Sequence, residues 1–324
     1  MAEVIPIASR AERDRCRATT TKGRRCRNRA SENGYCNVHL KRGAAPRGED
    51  GLARALAFVR RRLTGEYEID EFGYDPELTE AVFNELARFL HETWWRVDWI
   101  GMEHVPSEGP ALLVANHAGT LPWDAVVMKF GILDKHPAHR NVRLLAADLV
   151  FRMPFLGAMA RKSGNTLATT EDAHRLLERG ELVGVSPEGF KGVGKPFKDR
   201  YKLQRFGRGG FIEVALRARV PIIPVSIVGS EEIYPLLYNA KPLARLFGFP
   251  YFPITPTFPW LGPLGVVPLP SKWIVEFGEP IATDDMPEDA WQDALTVFDM
   301  NDRVREVIQQ TLYRNLMVRR SVWF

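Results

Sequence analysis

The stretch NHAGTLPWD places Asn116, His117 and Asp124 within nine residues, directly after the apolar run ALLVA. An imidazole and a carboxylate held together can act as a general base and its orienter. The carboxylate fixes the tautomer and stabilises the imidazolium, and the other ring nitrogen takes a proton from a hydroxyl. A continuous helix would separate residues 117 and 124 by about two turns, ~10 Å. Contact therefore requires a turn at Ala118-Gly119, with Thr120 as an N-cap and Leu121-Pro122 opening the helix that carries Asp124 in its first turn.

A second chemical set lies near the start of the chain. Cys16, Cys26 and Cys36 are all the cysteines, and His39 completes a C-x9-C-x9-C-x2-H pattern. Three thiolates and one imidazole make a closed tetrahedral zinc set, and a segment this short and polar has no core to fold around otherwise. A disulfide reading leaves one cysteine over and needs an oxidising compartment, so a structural zinc is the expectation. The set resembles small zinc-binding modules. It offers no open position for metal catalysis.

The elements that position His117 follow from periodicity. RVDWI, ALLVAN, VRLLAA, ELVGVS and PIIPVSIVG read as strands, and several are apolar at every position. Such strands are covered on both faces, which predicts a mostly parallel α/β sheet flanked by helices. Helices are expected near 122–131, 170–179 and 209–219, with a last one within 286–316. Asp75-Pro76 begins another that runs to about Trp94, one face marked by Leu78, Val82, Leu86, Phe89, Leu90 and Thr93. Residues 234–270 hold many prolines and aromatics, which argue against a regular helix or central strand and for a stiff loop or an interfacial surface. In an open sheet of this kind, His117 sits at the C-terminal end of its strand, where ligand crevices form.

The chain is 45% hydrophobic and 26% charged with a mean hydropathy of −0.21, which excludes disorder as the default. No apolar run reaches the length of a membrane span. The first residues turn charged after too short an apolar stretch for a signal peptide, so a cytoplasmic protein is expected. Residues 1–50 carry 12 Lys and Arg against 6 Asp and Glu, a local charge of +6 in a chain of +4 overall. That basic segment suits anionic lipid head groups, with nucleic acid as an alternative partner. Its five arginines between Cys16 and His39 suit phosphate in either.

Over about residues 78–315 the chain resembles the glycerolipid acyltransferase family that includes the lysophosphatidic acid acyltransferases. The family's first motif is Asn-His, four residues, then Asp; here six residues intervene. VSPEGFKG is similar to the third motif, with Phe190 and Lys191 in place of its final Thr-Arg. VPIIPVSI is similar to the fourth, FGRGGFIEVAL to the basic helix start between them, and RKSGNTLATTEDA to the second motif without its final Arg. The resemblance implies an O-acyltransferase with His117 and Asp124 as catalytic residues. It implies substrate-binding roles for Asn116, Pro187, Glu188, Gly189, Lys191, Arg208 and Pro221, with Lys195 and Lys198 adding positive field for an acidic head group. The acyl donor would be acyl-CoA or acyl carrier protein. The acceptor would be a lysophospholipid, above all lysophosphatidic acid, or else a neutral glycerolipid or long-chain alcohol, reached from a peripheral membrane surface.

A serine-hydrolase reading of Ser186 fails, because GVSPEG is not G-x-S-x-G and Pro187 lacks the N–H an elbow uses. A binding module built on a degenerate scaffold is the non-enzymatic alternative, separated from the enzyme by whether His117 and Asp124 meet. The expected organisation is a zinc module at 13–41, a linker at 42–59 and an acyltransferase domain at 60–320.

Overall fold

The computed structural model describes residues 50–65 and 67–323. Cys16, Cys26, Cys36 and His39 lie outside those residues. The chain divides into two units, Met1–Tyr67 and Glu68–Phe324. In the first unit, Asp50–Thr64 forms helix α1. Its sequence spaces Leu52, Leu56, Val59 and Leu63 at helical intervals and ends on Arg61 and Arg62, which suit the negative end of the helix dipole. This helix covers the second half of the stretch expected as a linker, and the larger unit spans Glu68–Phe324.

The second unit is a seven-stranded sheet. Its strands are β1 (Asp98–Ile100), β2 (Ala111–Ala115), β3 (Val142–Ala146), β4 (Thr166–Leu167), β5 (Leu182–Val185), β6 (Ile222–Val228) and, after a separate two-stranded ribbon of β7 (Tyr238–Asn239) and β8 (Pro253–Ile254), β9 (Ile274–Phe277). Their order is β1-β9-β6-β2-β5-β3-β4. All pairings are parallel except β6 with β9. The five expected strands are present. The two not foreseen, β4 and β9, are short, and β9 closes the sheet against β6 in the opposite direction.

Strand β2 is buried at every position because both of its faces are covered. Leu112 and Val114 join a cluster with α3 (Thr170–Glu178), α4 (Gly210–Ala218) and α5 (Ala294–Val318), while Ala111, Leu113 and Ala115 face α2 (Trp123–Lys135) and the indoles of Trp95 and Trp273. Those two rings stack with centroids 4.6 Å apart. Burial on this scale contributes about 1.5–3 kcal/mol for each large side chain.

Two expectations are corrected. Residues 76–94 are helical throughout, but Thr79–Phe83 and Phe89–Trp94 are π-helical. Each wide turn rotates the following side chains away from the face an α-helix would present. Val82, Leu86 and Phe89 are consequently exposed, and Thr79, Asn84, Ala87 and His91 face inward. Within 234–270, Lys241–Phe247 is a helix all the same. Its proline lies in the first turn, where the missing N–H is harmless, and Gly248 with φ +68 ends it.

Candidate active site

His117 lies two residues beyond β2, at the C-terminal edge of the parallel strands. Asp124 is fully buried in the first turn of α2. Between them, Gly119 (φ +89) and Thr120 (φ +63) occupy the left-handed region and fold the chain back on itself. Gly119 has no substitute here, since a Cβ would stand 2.4 Å from the Ser230 carbonyl oxygen. The six-residue spacing is absorbed in this turn, and His117 Nδ1 donates to Asp124 Oδ2 at 2.9 Å. Asp124 also accepts from the N–H groups of Ala118 (2.7 Å) and Ala125 (2.8 Å), so its carboxylate cannot swing away. Nε2 of His117 is left as the basic nitrogen.

Burial of His117 works against its charged form, but the Asp124 charge and hydrogen bond outweigh it. The imidazole is held above its ordinary value of 6.5. Glu188 assists from the other side. Its carboxylate accepts from the His117 N–H at 2.9 Å and the Gln204 N–H at 2.6 Å. Burial pushes it up, with Lys195 opposing.

Several side chains named from the sequence have other employment. Asn116 is buried, and its amide exchanges two hydrogen bonds with the backbone of Ile227, at 2.7 and 3.0 Å. It extends the β2–β6 pairing beyond the last ladder bond and faces no crevice. Pro221 lies at the opposite end of the sheet, its carbonyl accepting from Leu112 at the start of β2. Lys195 is buried between Glu231 (2.9 Å) and Glu188 (3.9 Å), so its charge is neutralised inside the protein and does not reach a head group. Lys191 and Lys198 are exposed, as are Gly189 and Arg208; Pro187 is half-buried beside Glu188. Arg208 belongs to a separate cleft with Arg205 and Arg305.

Backbone N–H groups at the start of α2, which could otherwise serve as oxyanion donors, are also committed. The N–H groups of Ala118, Thr120, Leu121 and Trp123 bond Asp124, Val193, Gly119 and Leu121 respectively. Among the described residues, the Gly119 N–H in this turn has no recorded partner.

Two contributors were not foreseen. A Cβ at Gly192 would stand 2.4 Å from the His117 carbonyl oxygen and 3.0 Å from its Cβ, so the helix Phe190–Val193 can press on the His117 loop only with glycine there. The signal was present as the second glycine of GFKGVG. Tyr251 donates its hydroxyl to the Thr120 carbonyl, and the Tyr234 carbonyl accepts from the Thr120 hydroxyl at 3.2 Å. The proline-rich segment is therefore the brace of the turn between His117 and Asp124. No spacing rule links Tyr251 to Thr120 across the intervening chain. Among the described residues no three His, Cys, Asp or Glu side chains are grouped to hold a metal ion.

A family model described as Acyltransferase matches residues 96–228, which include β2, the His117–Asp124 turn and β6. A model described as a domain of unknown function matches residues 13–44. An uncharacterized protein of Mycobacterium tuberculosis is 57% identical over 273 residues, 84% of this chain and 76% of its own length. A Gallus gallus protein described as a DGAT1/2-independent enzyme synthesizing storage lipids is 30% identical over 192 residues, 59% of this chain and 54% of that one. Among solved structures, the 1-acyl-sn-glycerophosphate (LPA) acyltransferase PlsC from Thermotoga maritima superposes with a TM-score of 0.50 at 19% identity, covering 76% of this chain and 84% of that one. That likeness is one of fold.

Proposed function

We infer that this chain, which belongs to one family with the mycobacterial protein and carries an acyltransferase domain, moves a fatty acyl group from a thioester carrier to a lipid hydroxyl. The observation that supports the reading most is the 2.9 Å contact between His117 and Asp124 at the C-terminal edge of the parallel strands. In the reaction, Nε2 of His117 takes the proton of the acceptor hydroxyl as its oxygen attacks the thioester carbonyl. The tetrahedral intermediate collapses, the carbon–sulfur bond breaks, and the imidazolium returns the proton to the leaving thiolate. No acyl-enzyme is required. Asp124 holds the tautomer, while Glu188 and Gly192 hold the backbone of His117 in place.

The favoured acceptor is a lysophospholipid such as lysophosphatidic acid, with Lys191 facing the phosphate from beside Gly189 and Gly192. A neutral glycerolipid is the second reading. It is favoured by the burial of Lys195, which removes one cation from the head-group field, and by the partial similarity to the storage-lipid enzyme. A screen with labelled acyl-CoA against lysophosphatidic acid, mono- and diacylglycerol and a long-chain alcohol tests both. Product from lysophosphatidic acid supports the first reading, product from neutral acceptors alone selects the second, and transfer to none sinks the enzyme reading.

Such acceptors keep their tails in a bilayer, and no helix among the described residues is long and apolar enough to cross one. We place the membrane contact on the helix and loops after β7, where Leu246 is 74% and Trp260 71% exposed and Phe247 and Leu264 are exposed too. Phe252 and Phe258 are half-buried: Phe252 stacks on Phe247 at 5.8 Å and meets Phe258 at 5.7 Å, so they support the surface from below. Aromatic and apolar side chains of this kind favour the head-group boundary. Replacing Leu246, Phe247, Trp260 and Leu264 with serine should abolish liposome flotation in high salt, where electrostatic attraction is screened. Flotation equal to that of the parent protein would reject this face as the anchor.

A further inference from the structure

A cleft of about 640 Å³ lies between the segment from Phe197 to Lys202, the residues after β6, and the end of α5 with the chain that follows it. It stands at the same edge of the sheet as His117. β6 runs parallel to β2 and antiparallel to β9, so the residues just after β6 and just before β9 share that edge. Glu232 comes from the first set; from the second, the Lys272 N–H holds the Val322 carbonyl at 2.7 Å. Four cations line the cleft, Arg200, Lys202, Arg319 and Arg320, against one carboxylate, Glu232. Arg319 is committed to that carboxylate at 2.8 Å and to the Lys272 carbonyl at 3.2 Å, so it is fixed and neutralised. The other three are exposed. Lys202 stands 4.0 Å from Asp199, Arg200 meets only the carbonyl (3.4 Å) and ring of Phe197, and Arg320 has no ion pair recorded among the described residues. The rest of the wall is apolar, with Leu316, Val322 and the rings of Tyr313 and Trp323. Large apolar side chains continue from it into solvent. Leu237 and Tyr238, just beyond the lining residue Pro235, are 62% and 63% exposed, and Met317, next to Leu316, is 88% exposed. Spare cations beside an uncovered apolar rim suit a ligand that is anionic at one end and hydrocarbon at the other.

We propose that this cleft seats the phosphodiester head group of an anionic bilayer phospholipid, neither donor nor acceptor in the reaction, and so fixes the crevice edge of the sheet against the membrane. The inference rests on the acyltransferase reading, because an enzyme whose acceptors stay in a bilayer must turn His117 toward it. Arg200 and Arg320 take the phosphate oxygens in the bidentate fashion guanidinium favours, and Lys202 adds a point charge. The glycerol and the first methylenes lie along Tyr313 and Trp323, rings of the kind that favour the head-group boundary. Free phosphate would engage only the cationic half of the cleft. The acceptor's own place is different, since it must reach Nε2 of His117 and no residue of the His117–Asp124 turn lines this cleft.

The test uses the full chain, sedimentation with phosphatidylcholine vesicles with and without phosphatidylglycerol, and calorimetric titration with monomeric dihexanoylphosphatidylglycerol and with inorganic phosphate. Arg200→Glu, Lys202→Glu and Arg320→Glu should each lower partition onto the phosphatidylglycerol vesicles about fivefold or more, the size of one cation's attraction to an anionic surface. The same variants should weaken binding of the short-chain lipid to a similar degree and leave partition onto pure phosphatidylcholine unchanged. Trp323→Ser should weaken the short-chain lipid and leave phosphate as it was, because it removes only the apolar half. Arg205→Glu, in the separate cleft near Arg208 and Arg305, is the control for a diffuse positive field. An equal loss from Arg205→Glu, inorganic phosphate binding as tightly as the short-chain lipid, or unchanged partition in the three variants would each overturn the proposal. If these variants bind anionic vesicles like the parent while the parent acylates a lipid acceptor, the proposal fails and the acyltransferase reading stands. If the parent binds the lipid through these residues but acylates nothing, the proposal stands and the functional reading fails.

Discussion

His117→Ala loses acyl transfer by about 10²–10⁴-fold or more while the protein stays folded, because removing a general base costs on that order. The separation of activity from folding follows from where the bonds lie. Glu188 holds the His117 backbone N–H, which alanine keeps. Asp124 keeps its bonds from Ala118 and Ala125 after the imidazole is gone. Initial rates with labelled acyl-CoA, beside a denaturant titration, decide the matter. Turnover like that of the parent chain would remove His117 from the mechanism.

Asp124→Asn separates positioning from charge. The amide has one oxygen where the Ala118 and Ala125 N–H groups now meet two, so it keeps only one of those backbone bonds, and its NH2 group no longer stabilises an imidazolium or enforces the proton on Nδ1. The pH dependence then moves in a definite direction. His117 works as a base only when deprotonated, and Asp124 holds it above 6.5, so the acid limb of kcat/KM in the parent chain lies above that value. Without the carboxylate, burial is the largest influence left and favours the neutral ring. The limb of any residual activity in Asp124→Asn should shift to lower pH. An unmoved limb would show that His117 is not the titrating base.

Much of this architecture was legible in the sequence, for reasons that differ by element. Strands β2, β5 and β6 announce themselves because they are buried on both faces at nearly every position and therefore almost wholly apolar, Ser226 of β6 being the exception. The His117–Asp124 pair was legible as residue types, but its contact depends on two left-handed residues, Gly119 and Thr120, and only the glycine advertises that conformation. Asn116 and Lys195 were read as facing substrate because polarity suggests solvent or substrate, and sequence alone carries no trace of the partners each meets within the fold. The inward face of residues 76–94 was misread because π-helical turns break the 3.6-residue period on which the face was reckoned. The bracing of Thr120 by Tyr251 is a long-range contact, and local pattern contains no trace of it.

Lys195→Met should destabilise the protein by about 3–5 kcal/mol, the range for removing one partner of a buried ion pair. The ammonium group sits 2.9 Å from Glu231 and 3.9 Å from Glu188 and donates to the Lys202 carbonyl at 3.1 Å, with almost no exposure on any of these side chains. Take it away and two carboxylates face each other in a dry interior. Glu231 is already pushed up to about 7 by burial, with Lys195 as the main opposing influence. A raised carboxyl means that the folded state binds its proton more tightly than the unfolded chain, so stability falls as pH rises from the unfolded value of 4.5 toward 7. Without Lys195 the carboxyls rise further and that decline extends to higher pH. The variant should consequently lose more stability at about pH 8 than at about pH 5, where protons can stand in for the missing cation. Glu231→Gln added to Lys195→Met should recover part of the loss, since the amide oxygen can still accept the Tyr201 N–H that Glu231 now holds at 2.8 Å. Because Glu188 carries the His117 backbone, activity of the single variant should fall with the same pH trend. Denaturant titrations of the single and double variants at both pH values measure these differences. A loss below about 1 kcal/mol at the higher pH would mean that Lys195 does not neutralise this cluster, and that the two carboxylates are held by their backbone donors alone.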